Sequence, residues 1–134
     1  EGLRTPLIKN DCTHAYYVYP IILDIDSLNV SREMIVKALL AEGVYVCAGY
    51  QNIHLLPLYQ KKIAYGSNGF PWTSSICKRE INYSKGICPI AENLHDKTFI
   101  YLPMCMFEFS DVDIENIIKA FHKVWMNLDK LRTI

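Results

Sequence analysis

A chain of 134 residues with 51% hydrophobic and 21% charged side chains holds enough apolar material for a packed core and is too short for two ordinary domains, so residues 1–134 read as a single domain. Fourteen basic and fourteen acidic side chains cancel, which argues against a nucleic-acid or anionic-membrane partner. No apolar run is long enough to span a bilayer, and nine tyrosines in a largely apolar composition are far from the profile of a disordered chain.

In the leading segment, Glu1 to Cys12, the residues are mixed and include Pro6, so no regular element is expected. Ala15 to Asp24 is aromatic and β-branched with weak alternation, the pattern of a strand buried on both faces. Pro20 in its middle removes a ladder donor, which predicts an edge position or a bulge. Asp26 to Val30 reads as a loop, and Asp24 and Asp26 as turn formers rather than a catalytic carboxylate pair. Ser31 is a good N-cap for a helix over Arg32 to Glu42, in which Ile35 with Leu39 and Val36 with Leu40 pair at i,i+4. Gly43 stands where a left-handed C-terminal cap is wanted. Val44 to Ala48 follows as a short strand.

Periodicity then breaks from Gly49 to Gly86. A loop of this length inside a compact domain is commonly functional, and its aromatics Tyr50, Tyr59, Tyr65, Phe70, Trp72 and Tyr83 predict that it packs on something. Pro89 opens a helix running to about His95, with Ile90, Ala91 and Leu94 inward. Thr98 to Leu102 is a strand ended by Pro103. Ser110 caps the last helix, with Asp113 completing a capping-box pattern. Ile114, Ile117, Ile118, Phe121, Val124, Trp125 and Leu128 form an apolar stripe at helical spacing. The order β-α-β-long loop-α-β-α predicts a two-layer α/β (α+β) domain, helices packed on one face of a small sheet. So much apolar material in so small a chain also suits a face that awaits another domain or subunit.

The residues on their own declare little chemistry. Five cysteines, Cys12, Cys47, Cys77, Cys88 and Cys105, fall in no CxxC spacing and follow no secretory leader. Reduced thiols in a cytoplasmic protein are therefore expected. His14, His54, His95 and His122 match no metal-ligand spacing, so no metal is expected. Cys47 or Cys88 as a nucleophile would need a histidine that nothing in the sequence brings near. Gly66-x-x-Gly69 lacks the flanking strand and helix of a phosphate loop. Lys61-Lys62 and Lys78-Arg79 read as solvated loop charges. The run His54-Leu-Leu-Pro57-Leu-Tyr59 places an imidazole and a phenol in a proline-stiffened part of the long loop, where ligand contacts concentrate. A packed loop with a hydrogen-bonded histidine accounts for the same residues.

Several stretches in order resemble one family. His14-Ala-Tyr-Tyr-Val-Tyr-Pro20 is similar to the strand that opens the small domain of DegT/StrS-class nucleotide-sugar and aminocyclitol aminotransferases. So are Ser31-Arg-Glu33 with Ala38 to Val44, Gly49-Tyr50 with His54 to Tyr59, Cys88 to His95, and Tyr101-Leu-Pro103 with the last helix. The resemblance covers about residues 11 to 128. It implies the C-terminal small domain of a fold type I, pyridoxal-phosphate-dependent enzyme that moves an amino group from glutamate or glutamine to a keto-sugar. The cofactor lysine would lie in a large N-terminal domain absent from this chain, and the complete enzyme would be a homodimer. No lysine here has the family's cofactor-lysine context, so no catalytic residue is carried over and the segment alone is expected to be inactive. By the same match His54 and Tyr59 are expected to line the sugar pocket, with Tyr50 and His14 as further candidates. A binding or assembly module that kept this fold without catalysis is the alternative.

Overall fold

The computed structural model describes residues 1–132. A four-stranded antiparallel sheet is built from β1 (Leu3–Arg4), β2 (Tyr19–Leu23), β3 (Cys47–Ala48) and β4 (Phe99–Leu102), in the spatial order β1-β2-β4-β3. Helices α1 (Ile25–Leu28), α2 (Arg32–Ala41), α3 (Pro57–Gln60), α4 (Pro89–Asn93), α5 (Asp111–Trp125) and α6 (Leu128–Leu131) complete the described elements, with 3₁₀ turns at Ile53–Leu55 and Met104–Met106 and a π turn at Leu94–Thr98. The α+β class read from the sequence is the one observed. Because β4 is antiparallel to both neighbours, β2 and β3 run parallel, and β2-α2-β3 is a split crossover with β4 inserted.

Alternation on the strands decides which face meets the helices. Ile21 and Leu23 of β2 and Ile100 and Leu102 of β4 are buried, and they join Ile35 and Leu39 of α2 and Ala120 and Val124 of α5 in one core. Full burial of a side chain such as Leu39 contributes about 2 kcal/mol. The opposite face, carrying Ile22, Phe99 and Tyr101, is only half-buried. The strand expected over Ala15 to Asp24, buried on both faces, is therefore shorter and one-sided.

Capping follows the sequence closely. Ser31 accepts from the Met34 amide, and Gly43 at φ +86° lets its own N–H reach Leu40 O and that of Val44 reach Leu39 O. These two bonds make a Schellman ending. At α5, the Ser110 hydroxyl accepts from the Asp113 amide while the Asp113 carboxylate accepts from the Ser110 amide, a complete capping box. Asp24 takes the turn role expected of it, accepting from the Ser27 amide to start α1.

Several expectations need correction. β2 is an interior strand without a bulge, its register with β4 unbroken from Tyr19↔Leu102 to Ile22↔Phe99. Pro20 is accommodated because β1 reaches only Ile22 and Leu23 and leaves the outer side beside it unpaired. The leading segment is not structureless. It forms β1, and its first residues are fixed by Asp24 N–H on Gly2 O (2.9 Å) and Trp125 Nε1–H on Glu1 O (2.8 Å). Asp26 to Val30 is partly helical, as α1. The strand expected over Val44 to Ala48 shrinks to Cys47–Ala48, because Val44 closes the Schellman turn and Val44 and Val46 are drawn into the core. In α4, Ile90 points outward at 79% exposure and Glu92 is the buried residue. On α5, Ile114 and Ile118 are exposed at the rim of an open apolar groove of about 500 Å³ that also involves Leu3, Tyr19, Phe121 and Trp125.

Candidate functional site

The long segment after β3 is organised by one carboxylate. Pro89 at the first helical position fixes the start of α4, and four residues after Cys88 the Glu92 side chain folds back onto the backbone ahead of the helix. Its oxygens accept from the Gly86 amide (2.8 and 2.9 Å) and the Cys88 amide (3.2 Å), and Oε1 lies 2.9 Å from His54 Nε2. Both side chains are about nine-tenths buried. Burial opposes ionisation of Glu92 most strongly. The amides of Gly86 and Cys88 and the His54 imidazole together outweigh it and hold the carboxyl below its usual range.

Around this centre, side-chain amides tie distant segments together. Gln60 Nε2 donates to both His54 O and Tyr83 O, each at 2.7 Å. Asn52 Nδ2 donates to Asp96 Oδ1 and Lys85 Nζ to Asp96 Oδ2, each at 2.9 Å. Lys85 and Asp96 shift one another, the lysine upward and the carboxyl downward. Arg32, buried at the start of α2, donates from Nη1 to His95 O (2.7 Å) and from Nε and Nη2 to Glu33. Gly49 passes so close that a Cβ there would stand 2.3 Å from His95 O, and its φ is +62°. Only glycine suits that approach.

The four candidate residues fall in four neighbourhoods. His54 is in the Glu92 centre. Tyr59 belongs to an aromatic triad, with ring centroids 5.2 Å from Tyr83 and 6.3 Å from Trp72, whose Nε1 donates to Tyr83 Oη (3.1 Å). Gln60 joins these two neighbourhoods. Tyr50 lies on the outer face of the sheet beside Tyr101 (6.0 Å) and His95 (6.2 Å), and is half exposed. A hydrogen bond with Tyr50 raises the Tyr17 phenol, and burial with a Cys47 contact pushes Tyr101 up to about 12. His14 stands apart from the other three, stacked on Tyr16 at 4.0 Å. Glu92, Gln60, Asn52 and Arg32 were not singled out from sequence. Glu92 has a readable signal, an acid in the first turn after a Pro-started helix with a glycine just ahead. The other three have none, since their partners are remote in the chain.

Residues 2–97 match the DegT/DnrJ/EryC1/StrS aminotransferase family. The chain belongs to this family. The matched stretch holds β1 to α4 and all four candidate residues. Uncharacterized protein MJ1066 of Methanocaldococcus jannaschii is 33% identical over 82 residues, 61% of this chain and 21% of that protein. Spore coat polysaccharide biosynthesis protein SpsC of Bacillus subtilis is 29% identical over 82 residues, 60% of this chain and 21% of that protein. The alignments thus span about a fifth of the length of these curated relatives.

Aminotransferases of this family generally use pyridoxal phosphate, which needs a lysine able to lose its proton in a closed pocket. No lysine of this chain meets that need. All are exposed except half-buried Lys62, and at Lys85 the bonded Asp96 carboxylate favours the charged form. The residues present therefore do not fit the cofactor's covalent site. Among the described residues no group of three or more metal-ligating side chains is gathered either, and no helix is long and apolar enough to cross a membrane.

Proposed function

We propose that this chain is the small domain of a sugar aminotransferase whose cofactor lysine lies in a large domain outside these residues. The intact protein would transfer an amino group from glutamate or glutamine to a keto-sugar, with pyridoxal phosphate held by that larger part, in the cytoplasm and as a homodimer. The family match over residues 2–97 carries this reading. The match to about a fifth of each relative and the open apolar groove along α5 are what a piece of a larger assembly would have.

In this reading the long loop is one wall of the sugar pocket. Tyr59 and His54 line it, and Tyr50 and His14 flank it. Glu92 gives His54 and the Gly86–Cys88 backbone a fixed geometry, and a preorganised wall loses less entropy on binding. The phenol of Tyr59 supplies a hydroxyl partner for a sugar oxygen and an apolar ring for its carbon face.

Tyr59→Phe and Tyr50→Phe in the intact enzyme test this directly. Loss of one neutral hydrogen bond predicts a rise in KM for the keto-sugar of about threefold to tenfold, with the amino-donor half-reaction unchanged. Unaltered sugar kinetics in both variants would remove these residues from the pocket. Since His54 is bonded to a buried carboxylate, its variant should be His54→Gln, which retains a donor toward Glu92.

A further inference from the structure

His54 gives one ring nitrogen to a buried carboxylate and keeps the other. Its Nε2 lies 2.9 Å from Glu92 Oε1, and the same carboxylate already accepts from the Gly86 and Cys88 amides. An ionised carboxylate only accepts, so the proton between the two side chains sits on Nε2. In the neutral ring Nδ1 is then a bare lone pair. The two amides hold Glu92 in place at the start of α4, and Gln60 holds the His54 carbonyl from the other side at 2.7 Å. Nδ1 itself takes no bond among the described residues. The buried side-chain atoms left without a partner there are Asn52 Oδ1 and His95 Nδ1. The 11% of the His54 side chain that solvent reaches therefore includes Nδ1, whereas the same atom of His95 is sealed.

Which nitrogen of an imidazole carries the proton is set by the bond that the other one makes. Here a fixed carboxylate behind the ring leaves an open acceptor in front. Such an acceptor pairs with a hydroxyl group, which donates, and not with a carbonyl oxygen, which brings a second lone pair. We infer that Glu92 is a positioning residue that locks His54 in its Nε2–H form, so that Nδ1 recognises a hydroxyl of the ligand and not its carbonyl. The inference deepens the reading of the long loop as one wall of the sugar pocket, and rests on it. On a keto-sugar, His54 then contacts a hydroxyl-bearing carbon away from the carbonyl that receives the amino group. A site built to bond a hydroxyl rejects an analogue that lacks it more strongly than an apolar wall does.

A spectrum of the 134-residue chain and kinetics of the intact enzyme test this together. At about pH 8.5, well above the ordinary imidazole value of about 6.5, a long-range hydrogen–nitrogen correlation should show His54 with a protonated Nε2 and a bare Nδ1. Glu92→Gln should show both tautomers in exchange, because a carboxamide both donates and accepts and imposes neither. In the intact enzyme the same variant should raise KM for the keto-sugar about threefold to tenfold, with kcat and the amino-donor half-reaction retained, a split that mere loss of stability does not produce. An Nδ1–H form in the unaltered chain overturns the inference and needs no variant to fold. An unchanged sugar KM in Glu92→Gln, beside a raised one in Tyr59→Phe or Tyr50→Phe, overturns it and leaves the pocket wall standing. Unchanged KM in all three variants overturns both.

Discussion

Replacing Gly49 by alanine probes the junction of α2, β3 and the long loop, and a second glycine supplies its own control. Gly49 and Gly66 have nearly the same backbone, φ +62° and +66°, but a Cβ at Gly66 meets nothing within 4 Å. Both variants carry the left-handed backbone cost of a side-chain-bearing residue, about 1–2 kcal/mol. At Gly49 the new methyl would also stand 2.3 Å from His95 O and 3.0 Å from Arg32 Nη1. The carbonyl must shift and release the 2.7 Å bond from Arg32, a charge-assisted bond worth about 1.5–3 kcal/mol. The sum for Gly49→Ala is about 3–5 kcal/mol. Unfolding entropy scaled to 134 residues is about 0.28 kcal/mol/K, so Tm should fall about 10–18 °C for Gly49→Ala and about 4–7 °C for Gly66→Ala. Calorimetry on both variants checks this. A difference between them below about 3 °C would refute the claim that close approach, rather than backbone conformation, dictates glycine at position 49.

Glu92→Gln should lower the urea midpoint at neutral pH and flatten its dependence on acid. The folded state holds this carboxyl below its usual range, so its stabilisation is present above the unfolded value of about 4.3 and is lost as pH falls through the folded value. Midpoints measured from about pH 6 to about pH 3 check the sign, and identical acid slopes in the two proteins would contradict it. Ser110→Ala removes the side-chain half of the α5 capping box and should cost about 1 kcal/mol, or about 4 °C in Tm. Ser110→Asn should recover most of it, since asparagine caps equally well, and failure of that rescue would point to another cause.

Local signals in the sequence were read well because the structure uses them locally. Ser31, Gly43 and Ser110 act within a turn of their own helices, whereas the one-sided burial of Ile21 and Leu23 was missed because Ile22 between them is apolar too and blurs the alternation. What escaped was set by remote partners. Leu3 and Arg4 have no strand pattern of their own and are made β1 by the free edge of β2. Ile90 looked inward by apolarity, yet the amides of Gly86 and Cys88 demanded an acceptor and drew Glu92 in instead. For the candidate site, His54 and Tyr59 were legible as loop residues in a family pattern, while the bonds that fix them, from Glu92 and through Gln60, were not.

The two bonds of Gln60 give the long loop a neck. By clasping His54 O and Tyr83 O at once, this carboxamide closes the chain below residues 61–82 and separates them from the scaffold that carries His54 and Glu92. Lengthening a closed loop costs only about 0.6 kcal/mol per doubling, so changes of length above the clasp should cost little, provided the Trp72 contacts with Tyr59 and Tyr83 are kept. A shorter or longer version there should leave the strands beneath undisturbed. Diversity in what such proteins recognise should therefore accumulate above Gln60, on a base that stays the same.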